Sequence, residues 1–133
     1  MKFFSRIFAL FSYLLMDSLM AGSARAAMPE AVIEIRNHLF IPQSVTVPAG
    51  QKVRLVFINH DSTPEEIDSF DLNREKVIFG RSSGVIFIGP LSVGEYGFFG
   101  EYHPNSAVGK VIVTKDADTS NGINSINEGL PHD

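Results

Sequence analysis

Two short segments of this chain gather most of its metal-coordinating side chains. The first, 59–68, reads Asn-His-Asp-Ser-Thr-Pro-Glu-Glu-Ile-Asp, and the second, 96–105, reads Tyr-Gly-Phe-Phe-Gly-Glu-Tyr-His-Pro-Asn. Together they offer Glu65, Glu66, Asp68, Glu101 and His103, with His38 as a third contributor just before Phe40-Ile41-Pro42. Carboxylate oxygens with imidazole nitrogens suit harder ions such as iron or manganese, and copper(II) and zinc accept them too. The Irving–Williams order means that copper binds such a set in vitro whatever the biological ion is. Glu101 and His103 are two apart, so an extended segment would project both to one side. The chain has no cysteine, which removes thiolate ligands and disulfides together. His60 also falls in the first segment, but no ligand role is assigned to it.

The elements that must position these groups are short and alternating. Ala31–Arg36 and Lys52–Ile58 alternate apolar and polar residues, the second placing Val53, Leu55 and Phe57 on one face. Pro42 and Gln43 break the chain before a strand over Ser44–Val47, and Pro48-Ala49-Gly50 makes a tight turn. Asn59–Pro64 reads as a polar loop, with Asn59 tying the two site loops together. Glu66–Leu72, Glu75–Phe79 and Val85–Ile88 are further strands, with a turn at Gly80–Ser83. Glu95–Phe99 and Val108–Thr114 form a closing pair around the loop 100–107. Seven or eight short strands with turns every 8–12 residues indicate an all-β sandwich or barrel, with both site loops at one end. Tyr96 and Phe98 read as core. Glu66, Asp68 and Glu75 read as surface charges, with Glu66 or Asp68 tuning the local field. Asp71, Arg74 and Lys76 suggest a polar strand face with cross-strand ion pairs worth about 0.2–1 kcal/mol each.

The ends read differently from the middle. Lys2 and Arg6 precede an apolar run from Ile7 to Met16, and Ala24-Arg25-Ala26 follows, the pattern of a cleavable signal peptide over 1–26. Asp17 cuts the run short of a membrane span, and no cysteine follows it for a lipid anchor. The expected organisation is thus a leader over 1–26, one domain over 27–115 and a flexible tail over 116–133. The tail is poor in apolar residues, and its His132 reads as solvated. Removing Lys2, Arg6, Arg25 and Asp17 leaves 8 basic against 14 acidic residues, a formal charge of −6. That balance argues against nucleic acid, DNA included, as a partner. An exported domain without disulfides must rest on burial, and the Val, Ile, Leu and Phe content is sufficient for it.

At the level of motifs the chain resembles the cupredoxins. The resemblance is carried by Phe40-Ile41-Pro42, Val47-Pro48-Ala49-Gly50, the loop Asn59 to Pro64, Tyr96-Gly97-Phe98-Phe99-Gly100-Glu101-Tyr102-His103 and Gly109-Lys110-Val111-Ile112-Val113. It runs in order over nearly all of residues 31–114 and implies a Greek-key β-sandwich. The departures are informative. The family's cysteine position holds Gly100, its first histidine position holds Glu65, and no methionine follows His103. Of the four usual ligands only His103 remains, so a blue copper centre, which needs a thiolate, is excluded.

The stretch Thr63 to Ile78 and Phe98-Phe99-Gly100-Glu101-Tyr102-His103 resemble a narrower group. This group is the small periplasmic cupredoxin-like component (FtrB-type) of bacterial ferrous-iron uptake systems, together with the cupredoxin domain of Efe-type iron-uptake proteins. The resemblance implies a periplasmic protein binding an iron or copper ion through Glu65, His103, Glu101 and His38. Its implied partners are a periplasmic iron-binding protein and an inner-membrane iron permease. Oxidation of Fe(II) before permeation stands open beside simple binding. Two other readings stay open. One is a copper-handling or electron-transfer protein with a non-blue site, ranked lower because soft Cu(I) prefers Cys and Met-rich segments. The other is a metal-free module docking on a membrane partner through Phe99–Pro104.

Overall fold

The computed structural model of the chain describes residues 26–115. The tail expected over 116–133 lies outside these residues, as does the leader expected over 1–26, Ala26 excepted. Nine strands form in chain order: β1 (Glu30–Arg36), β2 (Leu39–Ile41), β3 (Ser44–Pro48), β4 (Val53–Asn59), β5 (Glu65–Ser69), β6 (Arg74–Ile78), β7 (Ser83–Ile88), β8 (Gly94–Gly100) and β9 (Val108–Thr114). They make two facing sheets, β2-β1-β4-β7 and β3-β9-β8-β5-β6, the expected all-β Greek-key sandwich. The strand beyond the expected seven or eight is β2. It is three residues long and stopped by Pro42, too short to show alternation.

Strict alternation builds the core. Val53, Leu55 and Phe57 of β4 are buried on the expected face, opposite Val111 and Val113 of β9 and Ile67 of β5. Phe40, Phe57 and Phe98 meet at the centre with ring centroids 5.1–6.1 Å apart in tilted and edge-on contacts, the geometry favoured by aromatic quadrupoles. Phe98 is therefore core, and Tyr96 packs against it while donating its hydroxyl to the Ser92 carbonyl. The cross-strand ion pairs expected of Asp71, Arg74 and Lys76 do not form among the described residues. Asp71 accepts the Gly97 N–H, and the Arg74 guanidinium donates to the carbonyls of Phe87 and Asn73. Strand alternation also sends Arg74 and Lys76 to the face opposite Glu75.

Two features of topology place the site. Strands β1 and β4 are parallel, so the turn after β1 and the loop after β4 leave from the same end. The start of β5 lies beside the end of β8, with Ile67 opposite Gly100. Three connections thus converge: 37–38, 60–64 and 101–107. The second is seated on Gly80, where a methyl group would collide with the Ser62 carbonyl.

Candidate metal centre

Glu65 opens β5 pointing inward and is only 1% exposed. A buried carboxylate is costly unless hydrogen-bonded, and this one is fully engaged. Its Oε1 accepts the N–H groups of Glu66 (3.1 Å) and Tyr102 (3.0 Å), and its Oε2 lies 2.6 Å from His103 Nδ1. Space for it comes from Gly100. A Cβ at position 100 would stand 2.6 Å from the Glu65 Cδ and 2.7 Å from the Ala107 Cβ. The two departures from the cupredoxin pattern, Glu65 and Gly100, are therefore one arrangement in space. The carboxylate occupies the volume that a side chain at 100 would need.

His103 sits in a tight turn rather than an extended segment. Its N–H donates to the Gly100 carbonyl, and its own carbonyl accepts the N–H groups of Ser106 and Ala107. That turn removes the i, i+2 sidedness expected of Glu101 and His103. Glu101 is exposed, donates its N–H to the Glu66 carbonyl, and contributes its charge to the outer face of the sheet. On that face the Glu75 carboxylate, which accepts from protonated Glu66, then partial burial, and the charges of Glu75, Glu101 and Asp68 push the Glu66 carboxyl above its ordinary value. Glu66, Asp68, Glu75 and Glu101 are thus an outward acidic group, apart from the buried carboxylate.

His38 reaches the site from the β1–β2 turn. Its ring stacks on His103 with centroids 3.6 Å apart and planes 11° from parallel. His38, Glu65 and His103 each offer a ligand atom, all within 4.8 Å of one another. An ion held at about 2.1 Å from each would set these atoms roughly 3 Å apart, so Glu65 and His103, at 2.6 Å, would open slightly. The stacked His38 ring would turn to bring a nitrogen lone pair onto the ion. On its solvent side His38 lines an open recess of about 510 Å³, shared with Arg36, His60, Asp61 and Arg81.

The turn carrying His38 is unusual. Asn37 and His38 have φ of 51° and 59°, the paired left-handed conformations of a two-residue type I′ hairpin. For non-glycine residues each such conformation costs of order 1 kcal/mol. One carboxylate offsets that cost: Asp61 Oδ1 accepts the Asn37 N–H at 2.8 Å, and Oδ2 accepts the His38 N–H at 2.9 Å. Partial burial pushes the Asp61 carboxyl up, but the N–H donors of His38 and Asn37 outweigh it and hold it below its usual value. Asn59, itself buried, accepts the Asp61 N–H and donates to the carbonyls of Thr63 and Ile78. It ties its own loop to β6 rather than to the loop at 101–107. His60 stands outside the trio, its Nε2 2.9 Å from Glu34 Oε1. Sequence reasoning missed Asp61. The signal was its place in the Asn-His-Asp stretch, read there only as part of a polar loop.

The sequence model of the cupredoxin-like domain matches residues 6–113. The chain belongs to the cupredoxin-like domain family. A relative, an uncharacterized protein of Rickettsia prowazekii (strain Madrid E), is 43% identical over 84 residues, 63% of this chain and 67% of that protein. Among solved structures the chain is similar to a copper-binding protein determined in its apo form (24% identical, 64% of this chain and 86% of that one, TM-score 0.57). It is also similar to the metal-binding domain, with Cu(I), of the Cu(I)-exporting P-type ATPase CopA of Streptococcus pneumoniae (16%, 64% and 84%, TM-score 0.55). A purple cupredoxin from Nitrosopumilus maritimus matches at 24% identity over 63% of this chain and 99% of that one, with TM-score 0.51. At these identities the likeness shows the shared cupredoxin fold.

Proposed function

We propose that this protein is an exported metal-binding protein that takes an iron ion between His38, Glu65 and His103, for delivery to a membrane permease. The observation carrying this reading is the composition of the trio. Two imidazoles and one carboxylate gathered at one point, with a solvent-facing side, are the donor set of non-haem Fe(II) sites. The anionic oxygen of Glu65 favours Fe(III) over Fe(II), so binding also eases loss of an electron to dioxygen. Glu65 already faces His103 at hydrogen-bond distance, and an ion enters by replacing the shared proton. Acid therefore weakens binding. Export rests on the leader pattern over 1–26, and delivery to a permease on the resemblance to ferrous-iron uptake components.

Copper is the second reading, supported by solved structures of the same fold described as a copper-binding protein and as a metal-binding domain with Cu(I). The deciding experiment is an anaerobic Fe(II) titration of protein purified after expression of the full chain, followed by air exposure, with Cu(II) run in parallel. Stoichiometric iron binding, weakened at least tenfold by Glu65→Gln or His103→Ala, supports iron. Tight Cu(II) binding with no affinity for iron moves the assignment to copper handling. If neither ion binds, the metal-free docking module takes its place.

A further inference from the structure

We propose that Asp61 is the positioning residue of this centre, pinning the β1–β2 turn so that His38 meets His103. The inference rests on the metal-site reading above and adds to it a residue that touches no ion itself. Arg36 and Leu39 are paired, so only Asn37 and His38 span the hairpin. Both adopt left-handed backbone angles, uncommon for any non-glycine residue although Asn and His tolerate them better than most. The one group holding both N–H donors of that turn is a carboxylate more than 20 residues away in sequence.

Asp61 reaches the His38 side chain as well as its backbone. Its Oδ2 lies 3.4 Å from His38 Nδ1, so with Nδ1 engaged by the carboxylate, Nε2 is the nitrogen left to meet an ion. A carboxylate behind a ligating imidazole fixes ring orientation and raises ligand basicity. Asp61 is itself held on both sides: its N–H donates to Asn59 Oδ1, and its carbonyl accepts the N–H of Arg81. From the opposite side Ser106 Oγ donates to the His38 carbonyl at 3.0 Å. The turn is therefore clasped between the two loops that flank the site, with the stronger, charged grip on the Asp61 side.

The test uses Cu(II) as the probe, because its electron paramagnetic resonance spectrum counts bound imidazole nitrogens. Asp61→Ala and the near-isosteric Asp61→Asn should each weaken binding by about 10–100-fold and reduce the count from two nitrogens to one. In a His38→Ala background Asp61→Ala should have no further effect on affinity. Without metal, Asp61→Asn should lose the nuclear Overhauser contact between the two histidine rings while the core methyl resonances stay in place. Ser106→Ala, cutting the other tie, should have the smaller effect. An Asp61→Asn protein that keeps wild-type affinity, two nitrogens and the ring contact overturns the role of Asp61 alone. A wild-type protein that binds no Cu(II), or binds it unchanged after Glu65→Gln and His38→Ala, overturns the centre and this inference with it.

Discussion

Two of the imidazole–carboxylate pairs among the described residues are alike in kind, His60 with Glu34 and His103 with Glu65. The imidazoles are equally exposed at 31%, while the carboxylates differ, 37% for Glu34 against 2% for Glu65. Glu34 shares itself between His60 and Arg36 on the open face of β1, where water competes for every contact. Glu65 is enclosed, satisfied by two backbone N–H groups, and aimed at a second imidazole stacked on the first. A His–Glu pair is thus common surface chemistry. Enclosing the acid and adding a third donor turns it into a centre that can hold an ion.

The sharpest way to break this contrast is Glu65→Ala, which leaves a cavity and orphans the Tyr102 N–H. It should cost about 3 kcal/mol of stability in urea titrations and abolish metal binding. Gly100→Ala attacks the same enclosure from the other wall. The added methyl has no room beside the carboxylate, so a loss of about 2 kcal/mol is expected. Metal affinity should fall with it, because Glu65 is displaced. Glu65→Gln keeps the shape and the N–H acceptor, so stability should fall by no more than about 1 kcal/mol while metal affinity drops at least tenfold. Unchanged affinity there would mean that the anionic charge is not what the ion meets.

The smallest effect belongs to the exposed pair. Hydrogen bonds from His60 and then Arg36 hold the Glu34 carboxyl below its usual 4.5. A lowered carboxylate adds stability above its unfolded value and loses it as pH falls through the folded one. The melting temperature of Glu34→Gln should therefore lie slightly below wild type at neutral pH and converge with it below about pH 4.5. Salt should shrink the difference, and metal affinity should not change. A Glu34 variant that loses metal would dissolve the distinction between the two pairs.

Much of the frame was legible because it rests on period-two alternation. The buried face of β4 followed from Val53-Leu55-Phe57, and the core place of Phe98 on β8 from its own segment. Glu65 and His103 were reached through motif positions, and His38 through its place before Phe40. What stayed hidden was geometry that no local pattern encodes. The turn at 101–107 takes Glu101 away from the trio, and its reason is a set of backbone hydrogen bonds to Gly100 and His103. The burial of Glu65 depends on an absent side chain at Gly100, which a linear reading records only as a missing ligand. Asp61 escaped notice because its partners, Asn37 and His38, lie on a different strand connection.

The trio is assembled from three connections that are remote in the chain: Glu65 and His103 are 38 residues apart, and the tie from Ser106 to His38 spans 68. Nothing in an extended chain brings these donors together: Glu65 and His103 meet when β5 pairs with β8, and His38 joins them only when the two sheets pack. Ion capture is therefore conditional on completed folding, and bound ion in turn favours the folded ensemble by mass action. A polypeptide threaded unfolded across a membrane would leave any such ion behind, and would sample the ion supply only of the compartment where it folds.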